Sequence, residues 1–518
     1  MHRLVIALVT LIGLTGAAVV AGYLFLFSAG ADRAASLAPA NSAFYVNVFL
    51  QPSTGQQMNL SGLIGRLPGF ADEASLDEKV DQIVQNLLSG SGIDYRTQVK
   101  PWLGDQVAIA GRPGSVDPTQ TDSVVIAEVK DPEAARASVA DLVADAEESF
   151  APETYGGVDL QVGETATYAF VDDMLVVGTS ADSVHAVVDA SGGADSLADR
   201  ADFRAAMDAL PADHLASAFV DLAAITQATG VDEAVSEVST ASAVLVAEPD
   251  GLRLSGSAPL TAGGDASPAA TPAGSEPSTL AEWMPSGTVA EVVLFGLRET
   301  LEDAEAAAGA APGGEDIAST LDTLRAVAAF GLGIDIDNDL LPLLDREVGL
   351  AITGVDGDLP SGTLLLRPED PDAAADALGR VADRLGAIGG ASEETDVDGT
   401  PITTLSIPDI GELAFAVVDG TVIIGLTADD IGAAVAAHEG GDSLAASDDY
   451  RRTFEVAGTR AGAEAYLDVG ALVELLGAGA ELPDDARDIL LQVGSFGLTA
   501  PSRPDQIEFH AVLTVDEP

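Results

Sequence analysis

The sequence predicts an α+β protein: two tandem duplicated domains with mainly antiparallel sheets and packed helices, placed after an N-terminal transmembrane helix. Three observations predict it. Residues 36–260 return, reworded, as residues 280–518, and the clearest match aligns Tyr168–Asp182 with Phe415–Asp429 without a gap. Within each half, strand-like runs joined by tight turns are interrupted by segments of helical spacing, the pattern of an α+β domain rather than of a short-period solenoid. At the amino end, Leu4 to Phe27 contains no charged residue.

Taken in order, Met1-His2-Arg3 precedes that apolar run. As a helix it spans roughly 36 Å at about 1.5 Å per residue, enough for a hydrocarbon core of about 30 Å. Arg3 and the free amine favour the amino end inside and the rest outside. A secretory apolar region is usually only about 7–15 residues, so the run reads as an uncleaved single-pass anchor, with residues 4–27 in the lipid bilayer. Ala29-Gly30-Ala31 has the small-x-small pattern a signal peptidase accepts, so secretion after cleavage behind Ala31 stays open. Both readings place residues 32–518 outside the cytoplasm. Ala31 to Leu37 reads as a short spacer.

The division expected is an anchor or signal segment at 1–31, a first extracytoplasmic repeat at 32–260, a linker at 261–279 and a second repeat at 280–518. The first repeat opens with Pro39 and the apolar run Ala43–Leu50, a strand by length and residue type; the second opens with Pro285 and Val289–Phe295. Thr261 to Thr279 has no aromatic or branched aliphatic residue, cannot contribute to a core, and reads as a flexible linker. Gly92-Ile93-Asp94 and Pro101-Trp102-Leu103 recur as Gly333-Ile334-Asp335 and Pro342-Leu343-Leu344. Asp131 and Asp370, each followed by proline, are expected helix N-caps. Ala135, Val139, Leu142 and Val143 follow helical spacing, as do Ala374, Leu378, Val381 and Leu385. Val418-Asp419-Gly420-Thr421 signals a two-residue hairpin whose counterpart is Val171–Met174. Ser180 and Thr427 then cap the next helix. Ala218–Asp221 recurs as Ala465–Asp468. Each half is expected to run strand, helix, two strands, helix, hairpin, helix, strand, helix and one or two closing strands.

Composition bounds the function. The 518 residues are 47% hydrophobic, so the chain can bury large cores despite its charge. Aromatics are only 5%, which leaves most of the packing to Ala, Val and Leu. The formal net charge is −60, and the only lysines are Lys79, Lys100 and Lys130. Such a surface repels phosphate and argues against nucleic acid as a partner. Acidity with almost no lysine suits a protein working in high salt, where screening suppresses self-repulsion; an arginine-biased composition with charge serving solubility is the alternative. There is no cysteine, which removes disulfides, thiolate catalysis, Cys-ligated metals and a lipidated cysteine.

Pro39 followed by an apolar strand, the Leu67-Pro68-Gly69 step and the block from Gly92-Ile93-Asp94 to Pro101-Trp102-Leu103-Gly104 resemble the bacterial envelope family known as domain of unknown function 3352. The resemblance covers most of the region after the anchor. It implies an exported or membrane-anchored protein and brings no activity, ligand or catalytic residue. The second half departs from the pattern, with Leu343 and Asp345 where the first has Trp102 and Gly104.

Motifs that could carry chemistry have structural readings beside them. Gly441-Asp442-Ser443-Leu444 spells the nucleophile tetrapeptide of the GDSL esterases, but it follows a helix tail instead of a strand. Its counterpart Ala194-Asp195-Ser196-Leu197 lacks the glycine, and a capping loop in which Asp442 and Asp195 bind the local backbone explains both. Asp335, Asp337 and Asp339 resemble the start of a calcium loop, yet Leu340 stands where glycine is needed and Arg346 where a bidentate glutamate is needed. His2, His185, His214, His438 and His510 show no metal-ligand spacing. No Ser-x-x-Lys and no P-loop occurs. The 83 acidic residues always offer carboxylate pairs, but the sequence gives no pair positive support. Trp102 is the candidate binding residue, since tryptophan is enriched at hot spots; a core or loop-anchoring ring is its structural reading. Trp283 is expected to cover an edge of the second domain. No cofactor or metal is expected. The reading is therefore a membrane-anchored extracytoplasmic protein that binds or scaffolds at the cell envelope, its partner or ligand unidentified. The rivals are an envelope hydrolase using Ser443 or a carboxylate pair, and a carrier of an apolar ligand.

Overall fold

In the computed structural model the described residues are 32–516 without 52, 67–80, 82–84, 86–92, 113–121, 146–148, 230–237, 261–276, 311–322, 324, 326–328, 330–333, 357–358, 388–389, 398, 408–410, 478–486, 488–489, 502 and 504. The apolar run 4–27, most of the linker and the Leu67-Pro68-Gly69 step lie outside them. Among the described residues no helix is long and apolar enough to cross a membrane. The chain is α+β with antiparallel strands, in two compact units built mainly from residues up to Ala266 and from Ser267–Pro504 with His510–Asp516.

In the first unit the strands are β1 (Phe44–Phe49), β2 (Leu103–Arg112), β3 (Asp122–Val129), β4 (Ala151–Tyr155), β5 (Val158–Val162), β6 (Thr167–Val171), β7 (Met174–Gly178), β8 (Ala216–Asp221), β9 (Thr240–Glu248) and β10 (Gly251–Pro259). Between them lie α1 (Thr54–Arg66), α2 (Pro132–Asp145), α3 (Ala181–Ser191), α4 (Ala201–Asp208) and α5 (Leu222–Thr229). The pairings are antiparallel and give the order β4-β5-β6-β7-β3-β2-β1-β8-β9-β10. One face packs Tyr45, Ala108, Ile126 and Phe219 against Val184 and Val187 of α3 and Phe203 of α4. Another cluster packs Val129, Leu175 and Val177 with Ala135 of α2. Burial on both faces explains why β7 reads as the continuous apolar run Met174–Val177 instead of alternating.

The second unit has β11 (Ala290–Phe295), β12 (Glu347–Asp356), β13 (Leu359–Arg367), β14 (Ala391–Val397), β15 (Thr400–Ile407), β16 (Gly411–Val418), β17 (Thr421–Gly425), β18 (Ala463–Asp468), β19 (Val493–Ala500) and, from His510 onward, β20 (Gln506–Val515). Its helices are α6 (Leu297–Ala310), α7 (Pro371–Ala387), α8 (Ala428–Gly440), α9 (Asp448–Ala457) and α10 (Val469–Gly477). The order is β14-β15-β16-β17-β13-β12-β11-β18-β19-β20, again antiparallel. Val293, Leu365 and Ile423 pack with Ile431 of α8 and Phe454 of α9, while Val348, Leu366 and Val422 pack with Leu378 of α7.

Local chemistry sets the element ends. Asp131 Oδ1 accepts from the amides of Glu133 and Ala134, and Asp370 Oδ1 from that of Ala373. Ser180 and Thr427 form capping boxes with Ser183 and Asp430. The β16–β17 turn places Asp419 at φ 47° and Gly420 at φ 77°, the positive pair a type I′ hairpin requires; Asp172 holds φ 51° in the β6–β7 turn.

Three local expectations are corrected. The stretch up to Leu37 is packed instead of acting as a spacer: Ala34 and Ala35 are at most 1% exposed, because small side chains fit closely under the sheet. Each unit has a further hairpin, β4–β5 and β14–β15, and a further short helix, α4 and α9. Trp283 lies in the core at 1% exposure instead of over an edge.

Candidate functional site

β11 alternates in burial, and its inward positions are Glu291 and Val293. On β18 the inward positions are Glu464 and Tyr466. The register sets Glu291 opposite Tyr466 and Val293 opposite Glu464, so the two glutamates lie diagonally on one face. Glu291 is 1% exposed and Glu464 2%, an unusual state for carboxylates. Over them lies Tyr450, from the first turn of α9 and fully buried. Its Oη is 3.2 Å from Glu291 Oε1 and 3.3 Å from Glu464 Oε2. Arg460, between α9 and β18, sends Nη2 to Tyr450 Oη at 3.0 Å, to Glu464 Oε2 at 3.2 Å and to the Ser278 carbonyl at 3.4 Å. Its guanidinium carbon lies 5.0 Å from the Tyr450 ring centroid and 5.4 Å from that of Phe454, adding a cation–π contact. Glu291 Oε2, Glu464 Oε1 and Arg460 Nε have no hydrogen-bond partner among the described residues.

Burial, and then the Glu464 charge, pushes Glu291 up to about 8. Burial also raises Glu464, with Arg460 opposing it. Tyr450 is held well above its ordinary range by burial and the two carboxylates. The arrangement can store charge and protons within a closed core.

The first unit is built differently at the same register. Tyr45 stands opposite Phe219 on β1–β8, where Glu291 stands opposite Tyr466. Phe203 of α4 meets the Tyr45 ring edge-on, and Ser217 occupies the β8 position two before Phe219. Tyr45 Oη donates to Asp32 Oδ1 at 2.6 Å, and the same oxygen accepts from Ala35 N at 3.0 Å.

The residues singled out from sequence are held elsewhere. Trp102 is 6% exposed, packs with Ala135 and Val177, and donates Nε1–H to the Gln98 carbonyl at 2.6 Å. Leu343 fills the comparable place beside Ala374 and Leu378. A Cβ at Gly104 would fall 2.6 Å from Glu128 Cγ and 3.0 Å from the Glu128 carbonyl carbon, so the Trp102-Leu103-Gly104 step is shaped by packing. Ser443 is 5% exposed and begins the turn Leu444–Ala446, after Gly441 ends α8 at φ 72°. The capping assigned to Asp195 belongs to its neighbour: Ser196 is the cap, closed by Asp199. Asp442 meets Ser286 N through its backbone carbonyl at 3.2 Å. His438 stacks on Trp283 with centroids 3.7 Å apart. His185 bonds Glu153 at 2.8 Å and His214 the Pro211 carbonyl at 2.8 Å.

The calcium-like aspartates are taken by amides and arginines. Asp335 caps the five-residue π turn Ile336–Leu340, accepting from Asn338 N at 3.2 Å. Asp337 pairs with Arg325 at 3.1 Å, and Asp339 pairs with both Arg380 and Arg384 at 2.8 Å. Among the described residues no group of three or more His, Cys, Asp or Glu could hold a metal ion.

The model of the protein family of unknown function DUF3352 matches residues 4–513. The chain belongs to this family. No curated protein sequence matches the chain. Two solved structures similar to parts of it are crystal forms III and I of TP0453. The first is 10% identical with a TM-score of 0.26, covering 44% of this chain and 80% of that one. The second is 11% identical with a TM-score of 0.23, covering 44% and 79%.

Sequence reasoning missed the Glu291–Tyr450–Arg460–Glu464 cluster. The available signal was a glutamate on each of two strands whose other inward position, Val293 or Tyr466, is apolar or aromatic.

Proposed function

We propose that this DUF3352 member is a membrane-anchored, extracytoplasmic protein of two duplicated α+β domains, at 32–260 and 280–518, which binds or scaffolds at the cell envelope. The duplication is supported by the strand order, which is the same in both units, and by the hairpin aspartates Asp172 and Asp419 at matching turns. The anchor is supported by the uncharged run Leu4–Phe27, whose partner is the lipid bilayer. One observation carries the binding role over a catalytic one. Ser443 and the Asp335–Asp339 run, the groups with a chemical reading, are engaged in a turn and in internal ion pairs.

Protease added to intact spheroplasts tests the placement. Residues 32–518 are expected to be digested while a fragment holding 4–27 stays in the membrane fraction. Protection of the large region refutes the extracytoplasmic assignment.

A further inference from the structure

A hydroxyl carries one hydrogen and donates once. Tyr450 Oη stands 3.2 Å from Glu291 Oε1 and 3.3 Å from Glu464 Oε2, and it accepts from Arg460 Nη2 at 3.0 Å. Were both glutamates ionised, one of the two carboxylate contacts would contain no hydrogen. Two acceptor oxygens would then face each other at hydrogen-bond range in a core site, where an unmet polar contact is costly. One added proton closes the count: a carboxylic acid donates to Tyr450 Oη, and Tyr450 donates to the remaining carboxylate.

Neighbouring charge decides which glutamate holds the proton. Arg460 donates to Glu464 at 3.2 Å, which favours the ionised form there. Glu291 faces Tyr450 from α9, Glu464 and Tyr466 from β18, and uncharged Ala351 from β12. Arg460 reaches it only through Tyr450 and at longer range. With the proton on Glu291, Arg460 and Glu464 balance and the cluster is neutral. The first unit needs no such proton, because Tyr45 meets the single carboxylate of Asp32 and its one hydrogen suffices.

We propose that Glu291 is a proton-binding site of the second unit, carried as a neutral carboxylic acid at neutral pH, whose ionisation weakens the junction of β11, β18 and α9. The upward push on Glu291 from burial and Glu464 agrees with that count. The sign follows from linkage. A carboxyl whose folded value lies above its ordinary 4.5 is protonated in the folded chain over a range where the unfolded chain has released its proton. Its stabilisation is complete below 4.5, declines as pH rises towards about 8, and levels off above that. Within the window the folding equilibrium constant falls by up to roughly tenfold per pH unit.

The test uses the full chain in detergent. Infrared difference spectra at about pH 7 should show the carbonyl stretch of a buried carboxylic acid that disappears by about pH 10, well above the range in which an ordinary glutamate loses its proton. Glu291→Gln, whose amide can still donate to Tyr450, should lack the titrating band. It should also remove the fall in second-unit stability between about pH 5 and pH 8 relative to the unsubstituted chain. Glu464→Gln keeps Glu291 but removes the neighbouring charge, and should move the midpoint of the band to lower pH. Absence of an acid band at neutral pH, a titrating band that survives Glu291→Gln, or a midpoint unmoved by Glu464→Gln would each overturn the proposal. Should Glu291→Gln not fold, the band of the unsubstituted chain and its shift in Glu464→Gln decide alone.

Discussion

Removing the carboxylate of Asp339 should destabilise the second unit by an amount the structure sets. Asp339 is 4% exposed and serves three partners. Oδ1 accepts from Arg380 Nη2 at 2.8 Å and Nε at 3.2 Å; Oδ2 accepts from Arg384 Nη1 at 2.8 Å and from the Asp335 amide at 3.0 Å. Hydrogen bonds between charged groups contribute about 1.5–3 kcal/mol each. The arginine side chains are 47% and 39% exposed, however, and can turn to water when the carboxylate is gone, so about half of that is lost. Asp339→Ala is therefore expected to cost about 3 kcal/mol, the amide bond included. Asp339→Gln should cost only about 2 kcal/mol, because a side-chain amide oxygen can still serve the turn. Gln98 does this in the first unit, accepting from Asp94 N at 2.8 Å. Burial pushes Asp339 up, but the two arginines and the Asp335 amide outweigh it and hold the carboxyl below its ordinary 3.8. Its contribution is thus present above that value and lost as pH falls through the folded one, so variants and parent should converge in strong acid. Urea unfolding read from Trp283 in a Trp102→Phe background isolates the second unit, since each unit holds one of the two tryptophans. Both variants within about 0.5 kcal/mol of the parent would refute the ion-pair argument, that being the ordinary scatter of surface substitutions. Glutamine as costly as alanine would refute the role of the Asp335 amide bond.

Two further outcomes are expected. With 83 acidic against 23 basic residues, the melting temperature should rise from dilute buffer to molar potassium chloride, where charges are screened beyond about 3 Å; sodium sulfate at matched ionic strength controls for salting-out, and a flat response to chloride refutes a stabilising role for screening. A fluorophosphonate probe should leave Ser443 unlabelled, because the serine is buried at the head of a turn and His438 is stacked on Trp283. Labelling that vanishes in Ser443→Ala would make the esterase reading the leading one.

What the sequence made legible was local. Asp131, Asp370, Ser180 and Thr427 act within three residues of themselves, and Asp419-Gly420 sets its own turn, so residue type alone announced them. The α+β class followed from the same punctuation. β14 was illegible because Glu393 and Glu394 are exposed along with most of that strand, leaving no alternation to read. Strand order depends on pairings far apart in the chain, such as β1 with β8, which no local pattern encodes. The buried cluster was missed for the same reason: Glu291 lies 159 residues from Tyr450 and meets Glu464 only through the β11–β18 register. The buried residues Ala34 and Ala35 lie in a stretch, Ala31–Leu37, that reads as a spacer because alanine suits a flexible link and a tight contact equally well.

That stretch has a mechanical consequence. Asp32 is bound by Tyr45 on β1, Ala34 N donates to Gln106 Oε1 on β2 at 3.2 Å, and Arg33 reaches Glu128 on β3 at 2.5 Å. All three strands are interior to the sheet, each flanked on both sides. On the proposed anchoring, tension arriving from the bilayer side would enter the first domain through its middle and be shared at once among three strands. A tether joined to β4 would instead load an outer strand of the sheet, the easiest to peel away.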